Sequence, residues 1–138
     1  VKFIAICFGN TCRSPMLEVI LKEELKKAGT KDVEVLSAGL LEGSDGRPIS
    51  VFSKVALEQL GYELEEHSSK HISNLSIERE DVLLVTSTDL LPKVREMYPE
   101  NKIVLLNDPE GVPNPWEKPY EEYLACARVI QQEALKIV

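Results

Sequence analysis

The chain has 138 residues, 43% of them hydrophobic and 28% charged, which fits one domain spanning residues 1–138. Its longest apolar runs fall far short of the roughly 20 residues that cross a bilayer, and its formal net charge of -7 has no Lys/Arg cluster to break it, so neither a membrane nor a nucleic-acid partner is expected. Three cysteines at spacings that suit neither a disulfide framework nor a four-ligand zinc site, and an N-terminal "VKFIAIC" that runs straight into a loop rather than a cleavage site, point to an unexported protein in a reducing cytoplasm.

The predicted elements alternate along the chain. Lys2 to Cys7 is a short, unbroken apolar strand. After the loop "CFGNTCRSPM" comes a helix over Pro15 to Ala28, with Met16, Val19, Ile20 and Leu25 on one side, charged residues over most of the rest, and Gly29 as its stop. A second strand covers Val33 to Leu36. The long loop Leu40 to Pro48 leads into a helix over Ser50 to Leu60, ended by Gly61. "VLLVT", Val82 to Thr86, is the third strand, and Asp89 to Met97 is a shorter helix in which Pro92 is tolerable near the first turn. "KIVLL", Lys102 to Leu106, is the fourth strand, followed by the long loop Asn107 to Pro119 and a last helix over Tyr120 to Val138. Strands this short and continuous are those of a buried parallel sheet. Their alternation with helices implies an α/β fold, a three-layer sandwich on a parallel sheet of about four strands. Such sheets bind ligands beyond the carboxyl ends of their strands, which directs attention to Cys7 to Ser14.

That loop has a chemical reading of its own. Gly9 and Asn10 allow a tight turn that aims successive backbone N–H groups inward, and the helix that follows adds its positive dipole end, so the loop is suited to a phosphate-like dianion. Arg13 supplies a planar fork for two phosphate oxygens. The same field favours a thiolate at Cys7, and Ser14 offers a hydroxyl to the sulfur, which makes Cys7 a nucleophile aimed at phosphorus.

"CFGNTCRSP" resembles the phosphate-binding loop of the low-molecular-weight protein tyrosine phosphatases. The likeness continues through "SAG" at Ser37 to Gly39, "GYELEEHSSK" around His67, "VLLVTSTD" and "VPNPW". The resemblance implies a four-stranded parallel sheet, a phosphorylated protein as substrate, inorganic phosphate or similar oxyanions in the loop, and no metal or other cofactor, since loop and arginine supply the charge stabilisation. It implies Cys7 as the residue that becomes a phosphocysteine and Arg13 as the phosphoryl clamp. Phe8, Gly9, Asn10, Thr11, Cys12 and Ser14 complete the phosphate-binding set, and Ser37 and His67 support the loop. The residue matching Cys12 can protect the nucleophile in that family through a reversible disulfide.

One position departs from the pattern. The family's general acid is an aspartate in an Asp-Pro-aromatic turn, and here that slot reads Asn114-Pro115-Trp116. An amide has no proton to give, and general acid catalysis is worth about 10²- to 10⁴-fold, most for poor leaving groups such as the phenol of tyrosine. The alternatives are an impaired or trapping phosphatase, a module that binds phosphoproteins without turnover, and an enzyme that uses Asp108 of "NDPEG" instead, although Asp-Pro before Glu-Gly is also an ordinary turn. A related branch acts on phosphoarginine and usually carries a small polar residue after the nucleophile, where this chain has Phe8. Arsenate reductases share the loop but need further cysteines, and Cys126 alone does not supply them. Trp116 and Tyr120 are placed to form an aromatic wall. His71 has no assigned role, and Cys126 reads as a small core side chain.

Overall fold

The computed structural model describes residues 1–30 and 32–138. Four parallel strands, β1 (Lys2–Cys7), β2 (Glu34–Gly39), β3 (Val82–Val85) and β4 (Lys102–Leu105), form one sheet in the order β2-β1-β3-β4. Helices α1 (Arg13–Lys27), α2 (Val51–Gln59) and α4 (Tyr120–Ile137) cover one face, and α3 (Leu91–Met97) covers the other. The period-two alternation of a strand divides the core between these layers. Ala5, Val35 and Leu84 point into the larger cluster with α1 and α4, while Ile4, Ile6, Ala38, Leu83 and Val85 point into the smaller one with Ile72 and Val94. None of the helices among the described residues is long and apolar enough to cross a membrane.

The chain leaves β1 toward β2 on one side and later returns to β3 on the other, so the sheet's switch point lies beyond the end of β1, at Cys7. The second strand runs over Glu34–Gly39 rather than Val33 to Leu36, because β1 pairs with it as far as Cys7 against Gly39 and so gives the Ser-Ala-Gly segment a ladder partner. Helix α1 begins at Arg13 rather than Pro15, which puts Pro15 in the first turn, where its missing N–H has no intrahelical bond to lose. The Asp89 to Met97 segment divides into a 3-10 turn over Thr88–Leu90 and α3 proper. Between Gly61 and Asp81 the chain has only a 3-10 turn at Ile72–Asn74 and a parallel bridge from His71 to Gly39, a long irregular crossing absent from the loops predicted above. That crossing reaches the first loop and helps to hold it.

Candidate active site

The loop after β1 is held open from outside. The Phe8 carbonyl accepts from the N–H groups of Leu40 and Leu41, both at 2.9 Å, the Thr11 carbonyl accepts from Ser50 N–H at 2.9 Å, and the Asn10 carbonyl lies 2.7 Å from His67 Nε2. A carbonyl can only accept, so Nε2 carries the proton. In a planar trans peptide the next N–H points opposite the carbonyl, so these outward bonds turn the N–H groups of Gly9, Thr11 and Cys12 toward the loop's interior. Close approach of β2 makes this possible: a Cβ on Gly39 would stand 2.6 Å from the Phe8 carbonyl oxygen and 3.0 Å from Asn10 N.

Asn10 is the keystone. Its φ of 56° lies in the left-handed region, which asparagine tolerates better than most residues. It is completely buried, yet both ends of its amide are satisfied: Nδ2 donates to Ser14 Oγ at 2.9 Å and Ser37 Oγ at 3.0 Å, and Oδ1 accepts from Lys70 N–H at 3.0 Å. Ser37 in turn donates to Glu18. Because Ser14 accepts from Asn10, its own hydrogen is left for the Cys7 sulfur, 2.9 Å away, with the Ala38 carbonyl at 3.5 Å the poorer alternative. Asn10 N–H donates to the same sulfur at 3.2 Å. Two donors thus converge on Cys7, at the head of α1, and both would strengthen on a thiolate.

The remaining residues gather around an open cleft of about 390 Å³, lined by Cys7, Phe8, Gly9, Thr11, Cys12 and Arg13 of the loop, with Leu41, Arg47, Asn114 and Trp116 brought from elsewhere. Asn10 and Ser14, grouped with the phosphate-binding set, do not line it; their side chains face the supporting network because the left-handed turn at Asn10 carries its amide behind the loop. Arg13 is almost fully buried, and its Nη1 donates to the Val112 carbonyl at 3.0 Å. Among the described residues no buried side-chain nitrogen or oxygen lacks a partner, so the guanidinium nitrogens without a protein bond are those open to the cleft. Asn114 is exposed, and its Oδ1 accepts from Trp116 N–H at 3.2 Å, which leaves its NH₂ as the free end of the amide. Asp108 is exposed in the turn before Gly111 and does not line the cleft.

Of the two aromatics predicted as a wall, Trp116 lines the cleft but Tyr120 does not. Tyr120 meets Phe52 edge-on at 5.6 Å and donates to Gln59 Oε1, because the first turn of α4 packs on α2. His71 caps the 3-10 turn that follows it, by accepting from Ser73 N–H. Cys126 is buried, and that burial pushes its thiol up to about 12 despite nearby Arg13. The Val112 carbonyl, Lys70 N–H and Glu18 carried no signal in the sequence; each is joined to the site by chain folding rather than by spacing, whereas Leu41 and Arg47 belong to "LLEGSDGRPIS", the segment that the family resemblance sets as the other wall of the pocket.

Residues 2–138 match the family described as low molecular weight phosphotyrosine protein phosphatase. The chain is 31% identical to the low molecular weight protein-tyrosine-phosphatase Wzb of Escherichia coli strain K12, over 95% of this chain and 88% of that one. It is also 31% identical to a protein-arginine-phosphatase of Geobacillus stearothermophilus, over 73% of this chain and 64% of that one. A crystal structure of a low molecular weight protein tyrosine phosphatase from T. tengcongensis superposes with a TM-score of 0.84 at 26% identity, covering 99% of this chain and 97% of that one.

Proposed function

The chain belongs to the low molecular weight phosphotyrosine protein phosphatase family, and on that premise we propose that its 138 residues form a single catalytic unit that hydrolyses phosphotyrosine in cytoplasmic proteins through a phosphocysteine, without an aspartate general acid. The observation that carries this reading is the convergence of Ser14 Oγ and Asn10 N–H on the Cys7 sulfur, beneath a cleft into which Arg13 opens. Cys7 thiolate attacks phosphorus in line, an S–P bond forms, and the P–O bond to the leaving phenol breaks. Arg13 and the inward N–H groups of Gly9, Thr11 and Cys12 hold the equatorial oxygens as their charge redistributes. Water then attacks the same phosphorus, the S–P bond breaks, and inorganic phosphate leaves with the thiolate restored.

Asn114 stands where the leaving oxygen would depart. Its free NH₂ can donate a hydrogen bond to a developing phenolate but cannot transfer a proton, so the phenol leaves as its anion or takes a proton from water. Turnover is therefore more sensitive to leaving-group basicity than in a site that has an acid. A phosphoarginine substrate is the second reading, since a relative of that activity is similar to this chain. The cleft favours the phenol: Phe8 and Trp116 offer apolar walls, and none of the ten lining residues is a carboxylate that could pair with a guanidinium. The third reading is a module that binds phosphoproteins without turning them over.

Steady-state hydrolysis of p-nitrophenyl phosphate, phenyl phosphate and a phosphoarginine peptide, by the chain and by Asn114→Asp, separates these readings. The expected result is measurable turnover of the activated ester and a gain of about 10²-fold or more in kcat on phenyl phosphate when the acid is supplied. Equal, fast turnover of both esters by both proteins would overturn the assignment of Asn114 and make Asp108 the next residue to replace. Preference for the phosphoarginine peptide would select the second reading, and tight binding of phosphopeptides without turnover of any ester the third.

A further inference from the structure

The lining of the cleft runs against the composition of the chain. The sequence holds 23 acidic and 16 basic side chains, yet the charged residues lining the cleft are two arginines, Arg13 and Arg47, and no carboxylate. Arg13 lies almost fully buried at the floor with the loop, and Arg47 is exposed at the rim.

Arg47 is not a loose surface residue. Its N–H donates to Ser69 Oγ at 2.9 Å, and its carbonyl accepts from Ser69 N–H at 2.7 Å. Ser69 is buried, its hydroxyl donates to the Ser44 carbonyl, and its own carbonyl accepts from Gly46 N–H at 2.8 Å, so the backbone under Arg47 is tied to the crossing between α2 and β3 on both sides. The side chain, by contrast, is uncommitted: no carboxylate among the described residues lies within ion-pair reach of it. Asp45, two residues earlier, is engaged elsewhere by His71 N–H and Asn74 Nδ2. A fixed backbone with an unpaired guanidinium at the mouth of an anion site is suited to a second negative charge that arrives with the substrate.

We infer that Arg47 is a specificity-determining residue that selects phosphotyrosine flanked by an acidic residue, by pairing with that residue's carboxylate while the phosphoryl group occupies the loop below. This inference rests on the phosphatase reading and adds to it the sequence context of the substrate. The pair forms at an exposed rim, so its effect is that of a surface ion pair, about threefold to fivefold in affinity at low salt, and it is screened as salt rises.

The test uses two phosphotyrosine peptides that differ only in Asp and Glu against Asn and Gln beside the tyrosine, together with their non-hydrolysable phosphonate analogues. For wild type, Arg47→Gln and Arg47→Glu, kcat/KM is measured on the phosphopeptides and Kd on the analogues at low and high ionic strength. The expected preference of the wild-type chain for the acidic peptide is about threefold to fivefold at low salt, falling toward unity at high salt. It should vanish in Arg47→Gln and reverse in Arg47→Glu. An acidic preference that persists in Arg47→Gln, or none in the wild type, overturns the role of Arg47 while leaving the phosphatase reading intact if p-nitrophenyl phosphate is still hydrolysed. Failure to hydrolyse that ester and to bind either analogue overturns both.

Discussion

Gly39→Ala offers a test of how the loop from Cys7 to Ser14 is built that does not touch the atoms proposed to react. The new methyl would stand 2.6 Å from the Phe8 carbonyl oxygen, 3.0 Å from Asn10 N and 3.1 Å from Gly9 C, all backbone atoms with no rotamer to escape into. An ordinary carbon–oxygen contact begins near 3.3 Å, so the Phe8 peptide must retreat by roughly 0.7 Å. That movement strains the two 2.9 Å bonds from Leu40 and Leu41 N–H that hold this carbonyl. Losing them costs about 1 kcal/mol each and the crowding about 1–3 kcal/mol, so a stability loss of about 3–5 kcal/mol is expected in urea titrations. The same shift moves the Gly9 N–H away from where the proposed mechanism needs it, and a misplacement near 1 Å costs about 10²-fold in rate. kcat/KM on p-nitrophenyl phosphate and the Kd for inorganic phosphate should therefore both worsen, measured well below the urea midpoint so that unfolding does not contribute. A variant within about 0.5 kcal/mol of wild type that binds phosphate unchanged would refute the idea that close approach of β2 shapes the loop.

Inorganic phosphate should stabilise the chain through its burial beside Arg13, by about 2.7 kcal/mol at a concentration 100 times its Kd, and Arg13→Ala should abolish the shift in thermal midpoint. Burial lowers the pKa of His67, outweighing the opposing bond to the Asn10 carbonyl. Because the folded chain resists protonating it, stability tied to His67 is full above its ordinary value of about 6.5 and is lost as pH falls below that point. Urea midpoints at pH 7.5 and 5.5 should fall more for wild type than for His67→Gln, and equal falls would count against the assignment. Burial holds Cys126 as a neutral thiol, pushed up to about 12. Iodoacetamide at pH 8.5 followed by mass spectrometry should find the native chain modified at Cys7 and untouched at Cys126, which reacts only after denaturation; early labelling of Cys126 would mean that the packing around α4 opens.

Periodicity and punctuation placed each of the four strands and the order of the helices along the chain, because those signals are local: a continuous apolar run, a 3.6-residue stripe, a glycine after a helix. The loop from Cys7 to Ser14 was legible for the same reason, since its cysteine, turn and helix start follow one another within eight residues. Ends of elements were less legible. The Ser-Ala-Gly segment becomes strand only because β1 lies beside it, and the segment between α2 and β3 has no periodicity that foretells where it packs. The family resemblance named Ser37 and His67 as supports of that loop, but the bonds they make, and the whole contribution of Lys70 and Val112, were decided by the folded chain. Ser37, His67, Lys70 and Val112 reach the loop across 27, 57, 60 and 99 positions of sequence. Arg47 and Trp116 meet at one cleft, while Tyr120, four residues beyond Trp116, turns away to Phe52. Sequence fixes which groups a segment carries and how the backbone beneath them can bend; which distant donor finds which carbonyl depends on the order of strands in the sheet and the crossings that cover it.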